Sequence, residues 1–239
     1  MTEKRTKYQR IMLKLSGEVL EGKNGSGIDF EVVRHLVKEI AEVKKMGVDI
    51  VIVIGGGNIW RFRDFQDSGL DRVVSDYMGM LATIMNAMAM EDQLRKAGLK
   101  ARALSAISMP TVTEPYIRAK AMDYLEKDAI ILCAGGTGSP YFTTDSAAAL
   151  RALELNCDVL LKATKVDYVY DKDPKKFPDA QKFETLTYQE MLQRELSVMD
   201  LSAVSLCMEK RLPIIVFNLE KDGNIPRAVL GENIGTLIS

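Results

Sequence analysis

The chain has 239 residues, of which 47% are apolar and 27% charged, enough to bury the core of one large α/β domain or two small ones. Its 32 Lys and Arg against 33 Asp and Glu leave a net charge of −1, a balance that argues against a protein built mainly to coat nucleic acid. No apolar run approaches the ~20 residues that span a bilayer, and the polar start MTEKRTKYQR is no signal peptide, so a soluble cytoplasmic protein without membrane or nucleic-acid partners is expected.

Arg10–Leu15 reads as a first strand that empties into Ser16-Gly17-Glu18 and a polar loop, Gly22-Lys23-Asn24-Gly25-Ser26-Gly27. Asp29 caps a helix to about Met46, with Phe30, Val33, Val37, Ile40 and Val43 at helical spacing and Gly47 behind it. Val48–Ile54 is a continuous apolar run, the pattern of a strand buried on both faces, and it leads into Gly55-Gly56-Gly57-Asn58. A long helix follows from about Asp71 to Lys96. Its stripe of Val74, Tyr77, Met78, Leu81, Met85 and Met88 is read as core or subunit packing. Lys100–Leu104 is a strand and Glu114–Glu126 a helix. Ala129–Cys133 is a buried strand, and a helix capped by Thr144 or Asp145 follows. Val159–Lys162 is the next strand. The long polar segment Thr164–Lys182 is expected to be functional or disordered. Leu186–Arg194 and Leu201–Lys210 are short helices, Ile214–Asn218 a buried strand, and Gly235–Ile238 an edge strand. The βαβα alternation implies an α/β fold: a mostly parallel central sheet between two layers of helices.

Ligands of open α/β sheets bind at the carboxyl ends of the strands, and four such ends here carry unusual residues. They are Lys14, Ser16 and Gly17; Gly55 to Asn58 with Arg61 and Arg63; Gly135 to Asp145; and Lys162, Thr164, Lys165 and Asp167. Glycines let backbone approach phosphate oxygens, lysines offset charge on a moving phosphoryl group, and a carboxylate organises lysines or Mg²⁺. Lys14 within an apolar strand needs a partner, because a buried lysine is costly alone. Asp76 could equally be surface charge, and Asp173-Pro174 a turn starter. The chain has no GxxxxGK[ST] and no GxGxxG after the first strand, which disfavours P-loop and dinucleotide enzymes. His35, the one histidine, lies mid-helix, and the three cysteines are far apart, so neither a metal site nor a Ser–His–Asp triad is expected.

KLSGE at Lys14–Glu18, GGGN at Gly55–Asn58, GGTGSPYFTTDSAA at Gly135–Ala148 and KATKVD at Lys162–Asp167 closely resemble the bacterial uridylate (UMP) kinases of the amino-acid kinase fold. The resemblance covers nearly the whole chain, with the motifs in the same order and spacing. It implies one domain over 1–239, with an acceptor-binding amino-terminal part and an ATP-binding carboxyl-terminal part. It implies transfer of the ATP γ-phosphoryl group to UMP with Mg²⁺. Lys14, Asp145 and Lys162 would be catalytic, with Lys165 an alternative to Lys162. Lys14, Leu15, Ser16, Gly17, Gly57, Arg61, Thr164, Tyr170 and Asp173 would contact ATP. Gly56, Asp76, Thr137, Gly138, Ser139, Pro140, Tyr141, Phe142, Thr143 and Thr144 would hold UMP. Gly22, Lys23, Asn24, Gly25, Ser26 and Gly27 would belong to activation by GTP, with UTP as inhibitor and a homohexamer as the assembly. Two positions depart from the family pattern: Tyr168 stands where Gly is more frequent, and Ser139 where Asn is. The rival readings are a carboxylate or carbamate kinase, a non-catalytic nucleotide-binding protein, and a nucleic-acid regulator using the basic segment Lys4–Arg10.

Overall fold

The computed structural model describes residues 6–61, 64, 68–196 and 198–239. Of the sequence expectations, Arg63 and the start of the Lys4–Arg10 segment lie outside these residues, as does the side chain of Asn24.

Among the described residues, nine strands form one sheet. In chain order they are β1 (Arg10–Leu15), β2 (Asp49–Ile54), β3 (Ala101–Ser105), β4 (Glu114–Pro115), β5 (Ile130–Ala134), β6 (Val159–Thr164), β9 (Thr185–Leu186), β10 (Ile214–Asn218) and β11 (Gly235–Ile238), with β7 (Val169–Tyr170) and β8 (Lys182–Phe183) forming a separate antiparallel pair. The spatial order is β4-β3-β5-β2-β1-β6-β10-β11-β9, parallel throughout except between β10 and β11.

Alternation along each central strand builds two cores. Ile11, Leu13 and Leu15 of β1, Ile50, Ile52 and Ile54 of β2, and Val159 and Leu161 of β6 face one layer, made by the short α1 (Gly17–Leu20), α2 (Phe30–Lys45), α3 (Arg72–Lys96) and α8 (Asn224–Val229). Met12, Val51, Val53 and Leu160 face the other, made by α4 (Arg118–Glu126), α5 (Thr144–Glu154), α6 (Tyr188–Gln193) and α7 (Leu201–Lys210). Burial on both faces is why these strands read as unbroken apolar runs. The three-layer expectation holds.

Several boundaries differ from expectation. The helix expected from Glu114 starts at Arg118, and Glu114–Pro115 pairs instead with Leu104 and Ser105. Pro115 disfavours helical backbone at the residue before it. The cap of α5 is Thr143, whose hydroxyl accepts from the N–H groups of Asp145 (3.0 Å) and Ser146 (3.3 Å), rather than Thr144 or Asp145. Gly235–Ile238 is not an edge: β9 pairs with Leu237 and Ile238 and takes the edge position. The stripe Val74, Tyr77, Leu81, Met85 and Met88 is exposed, and the core is met instead by Met80, Ile84, Ala87, Met90 and Leu94. The helix is apolar on more than one face, so spacing alone does not tell which face turns inward. The polar segment Thr164–Lys182 is folded back on itself by β7 and β8, and the Asp171 carboxylate accepts from the Gln181 N–H at 2.8 Å.

Candidate active site

Lys14 and Lys162 are register partners on the adjacent parallel strands β1 and β6. Even positions of both strands face the α5 layer, so both side chains rise on the same side. Asp145, in the first turn of α5, stands between them. Lys14 Nζ lies 2.9 Å from Asp145 Oδ1 as an ion pair outside good hydrogen-bond alignment, and Lys162 Nζ donates to Oδ2 at 2.5 Å and to the carbonyl of Val198 at 2.5 Å. The two lysines are only 7% and 9% exposed. Burial by itself would raise the Asp145 pKa, but the charges of Lys14 and Lys162 outweigh it and hold the carboxyl below its usual range. Burial pushes Lys162 below the ordinary lysine value; Asp145 opposes this push and Lys14 adds to it. Two cations on one anion leave a net positive charge in a place largely closed to water.

A second carboxylate steadies the start of α5. Asp200, the cap of α7, accepts from the Thr143 hydroxyl, from Ser146 Oγ (2.9 Å) and from the Ala203 N–H (2.9 Å). Burial opposes its ionisation, but these hydrogen bonds and one from Ser202 hold its pKa at about 2.

Two cavities flank the charged cluster. One, of about 470 Å³, is lined by Thr164, Val166, Tyr168, Tyr170, Asp173 and Val198, among others. Lys162 reaches its wall through the Val198 carbonyl. The other, of about 420 Å³, includes Gly56, Gly57, Arg61, Asp76, Thr137, Phe142, Thr143 and Thr144 in its lining, and Asp145 follows directly behind it. Both fall in the size range of small-molecule sites. A third cavity, of about 570 Å³, opens at the opposite edge of the sheet around Arg95, Lys100, Arg102 and Lys127.

Close backbone packing shapes the floor between the cavities. A Cβ on Gly17 would stand 2.5 Å from the Gly55 carbonyl and 2.6 Å from the Gly57 nitrogen, so the ends of β1 and β2 approach as only glycine permits. Arg61 is held by Glu21 (3.0 Å), Glu18 (3.3 Å) and the Gly57 carbonyl. Asp76 accepts from Arg72 Nε (2.8 Å) and from the Tyr141 N–H (2.8 Å), and Tyr141 stands at φ +69°. That is an uncommon conformation for a bulky residue.

Residues 9–218 match the amino acid kinase family. The chain belongs to that family. Among solved structures, it is similar to a UMP kinase from Bacillus anthracis, with 36% identity over 97% of this chain and 96% of that one and a TM-score of 0.94. It is also similar to a UMP kinase from Ureaplasma parvum, with 38% identity over 97% and 98% and a TM-score of 0.93. A uridylate kinase from Archaeoglobus fulgidus matches at 28% identity over 96% and 99%, with a TM-score of 0.74.

Within this amino acid kinase fold the sequence-derived residues fall into groups. Lys14, Asp145 and Lys162 meet, whereas Lys165 lies 3.9 Å from Glu21 and outside the cluster. Thr164, Tyr170 and Asp173 share one cavity. Gly57 and Arg61, expected at ATP, line the other, together with Gly56, Asp76, Thr137 and Phe142 to Thr144. Gly138, Ser139, Pro140 and Tyr141 are outside that lining, and Tyr141 is 70% exposed. Gly22–Gly27 forms a 3₁₀ turn and loop whose Gly27 N–H donates to the Asn58 carbonyl at 2.8 Å. Sequence reasoning missed Trp60, Arg72, Ser75 and Thr83 in the cavity of Gly56 and Gly57 and Asp200 beside α5. Arg72 four residues before Asp76, and Asp200 before an apolar helix, were the available signals. No helix among the described residues is long and apolar enough to cross a membrane.

Proposed function

We propose that this chain is a cytoplasmic UMP kinase, transferring the γ-phosphoryl group of ATP to UMP to give UDP, a step in the supply of pyrimidine nucleotides. The observation that carries the reading is the buried Lys14–Asp145–Lys162 cluster between two nucleotide-sized cavities. The similarity to UMP kinases at 36% and 38% identity supports the choice of acceptor.

ATP occupies the cavity of Thr164, Tyr170 and Asp173, with its phosphates over Lys14, Leu15, Ser16 and Gly17. UMP occupies the cavity of Gly56, Asp76, Thr137 and Phe142 to Thr144, and Gly57 and Arg61 face its phosphate and the incoming γ-phosphoryl group. The acceptor is a phosphate oxygen already ionised near neutral pH, so no general base is needed. The protein's task is to align two anions and offset their repulsion. Lys14 and Lys162 do this as fixed, largely dry cations, and Asp145 orients them.

Mg²⁺ fits as a companion of ATP. Both Asp145 oxygens are engaged by lysines, and among the described residues the one metal-like group of side chains, His35, Glu39 and Asp222, is on the α2–α8 side, away from this cluster. Phosphate oxygens and water would therefore hold the ion, as is common for Mg²⁺, and it would supply further charge neutralisation.

GTP activation through Gly22–Gly27 and inhibition by UTP are carried over from the sequence resemblance. The Gly27–Asn58 hydrogen bond gives the first a physical route. The homohexamer is supported by the exposed apolar stripe of α3.

The test is Mg²⁺-dependent phosphorylation by ATP of UMP, CMP, dUMP, glutamate and carbamate, with and without GTP. UDP formation from UMP alone is expected. Turnover of a carboxylate or carbamate, or ATP binding with no turnover, would overturn the proposal.

A further inference from the structure

Midway along α3, Thr83 and Asn86 lie one turn apart as buried polar side chains among the apolar Met80, Ile84, Ala87 and Met90. Neither serves the helix alone. Thr83 Oγ1 accepts from the Gly135 N–H at 2.9 Å, and Asn86 Nδ2 donates to the Gly55 carbonyl at 2.7 Å. The two glycine loops at the ends of β5 and β2 are thus pinned to adjacent turns of one helix. Their spacing sets the width of the acceptor-side cavity, to which Gly56, Gly57, Thr83 and Gly136 all contribute.

Asn86 also forms a reciprocal amide pair with Asn58. Asn86 Nδ2 donates to Asn58 Oδ1 at 2.7 Å, and Asn58 Nδ2 donates to Asn86 Oδ1 at 3.0 Å. The remaining Asn58 donor goes to the Gly27 carbonyl at 2.7 Å, while the Asn58 carbonyl takes the Gly27 N–H. Every amide donor of the pair is therefore spent. Asn86 is 0% exposed and Asn58 4%. An apolar pair of the same size would fill this space, but it would leave the Gly27 and Gly55 carbonyls without these partners, a cost that buried polar groups seldom carry. What the amides provide, and apolar side chains do not, is direction.

We propose that Asn86 and Asn58 are positioning residues that hold the Gly55–Gly57 backbone for the acceptor phosphate and lock the Gly22–Gly27 loop to it. This rests on the UMP kinase reading for its kinetic consequence, but the pinning itself does not depend on the reaction.

The experiment therefore has two arms, on Asn86→Ala, Asn58→Ala and the double variant, with Asn86→Ser as the milder substitution should Asn86→Ala fold poorly. In hydrogen exchange, Asn86→Ala is expected to raise exchange across both 22–27 and 55–58, although 22–27 makes no direct hydrogen bond to Asn86. Unchanged exchange in 22–27 would overturn the pinning whatever the protein's activity. In steady-state kinetics, each single variant is expected to lower kcat/KM for UMP by roughly 10- to 100-fold, with KM for ATP within about twofold, and the double variant to be no worse than the poorer single, as for residues acting as one unit. Leu94→Ala, in the core at the far end of α3, is the control: it lowers Tm without this split. Equal losses for UMP and ATP, or multiplicative losses in the double variant, would reduce the pair to a packing role. Absence of UDP formation by the unaltered protein would instead count against the UMP kinase reading, with the exchange arm still deciding the pinning.

Discussion

Replacing Asp145 by Asn removes the anion between two buried cations while leaving the shape of the site nearly intact. With an effective dielectric of about 20, an ammonium 2.9 Å from a carboxylate oxygen is attracted by roughly 6 kcal/mol, and one at 2.5 Å by slightly more. Much of that attraction is already offset by the cost of taking the charges out of water. The measured penalty for breaking such a buried pair is about 3–5 kcal/mol. Asp145→Asn should therefore lose stability on that scale at neutral pH, read by urea unfolding. Losing the preorganised lysine charge should also lower kcat by about 100-fold or more. The pH profile carries the sharper sign. Burial already holds Lys162 below the ordinary lysine value, and Asp145 is the main group that opposes this, with Asp200 adding a smaller share. Without Asp145, Lys162 loses its proton at lower pH, so the basic limb of kcat against pH moves toward neutrality. A variant within about 1 kcal/mol of the parent in stability, with an unmoved basic limb, would refute the coupling of the three groups.

Three further outcomes are expected. Gly17→Ala places a methyl 2.5 Å from the Gly55 carbonyl and 2.6 Å from the Gly57 nitrogen; because both neighbours are backbone, the loops must part, and kcat/KM for UMP should fall at least ~10-fold in steady-state assays. Asp200, with its pKa lowered from 3.8 to about 2, contributes stability that is present above its unfolded value and is lost as pH falls from about 4 toward 2; Asp200→Asn should flatten that part of a Tm-against-pH curve. Leu81→Lys combined with Met85→Lys puts charge on the exposed stripe of α3; light scattering should then report a smaller assembly with Tm of the protomer little changed, and an unaltered molar mass would remove that face from the interface.

Much of the fold was legible because local chemistry and tertiary need coincide. The strands β1, β2, β5, β6 and β10 are buried on both faces, so their sequences are short apolar runs, bounded by glycine or polar residues. Asp29 and Asp71 cap α2 and α3 with their own carboxylates, an interaction confined to the first turn of each helix and so visible in the sequence. Lys14 within β1 announced a buried charge that needed a partner. The elements that escaped notice depend on distant pairing. Two-residue strands such as β4 and β9 exist because β3 and β11 lie beside them, and no periodicity can register over two residues.

Sequence alone thus determined the α/β class, the order of the main strands, and the chemical character of four strand ends. The family likeness added the pairing of Lys14 with Asp145 and Lys162. Only the tertiary structure decided that Lys14 and Lys162 are register partners 148 residues apart on adjacent strands, that α5 starts where its Asp145 can lie between them, and that α3 turns its Thr83 and Asn86 inward and its methionines Met85 and Met88 outward. The reason is physical. Capping, turn chemistry and strand periodicity act over a few residues, whereas register and helix rotation are set by which faces pack together and by where each buried polar group finds its partner.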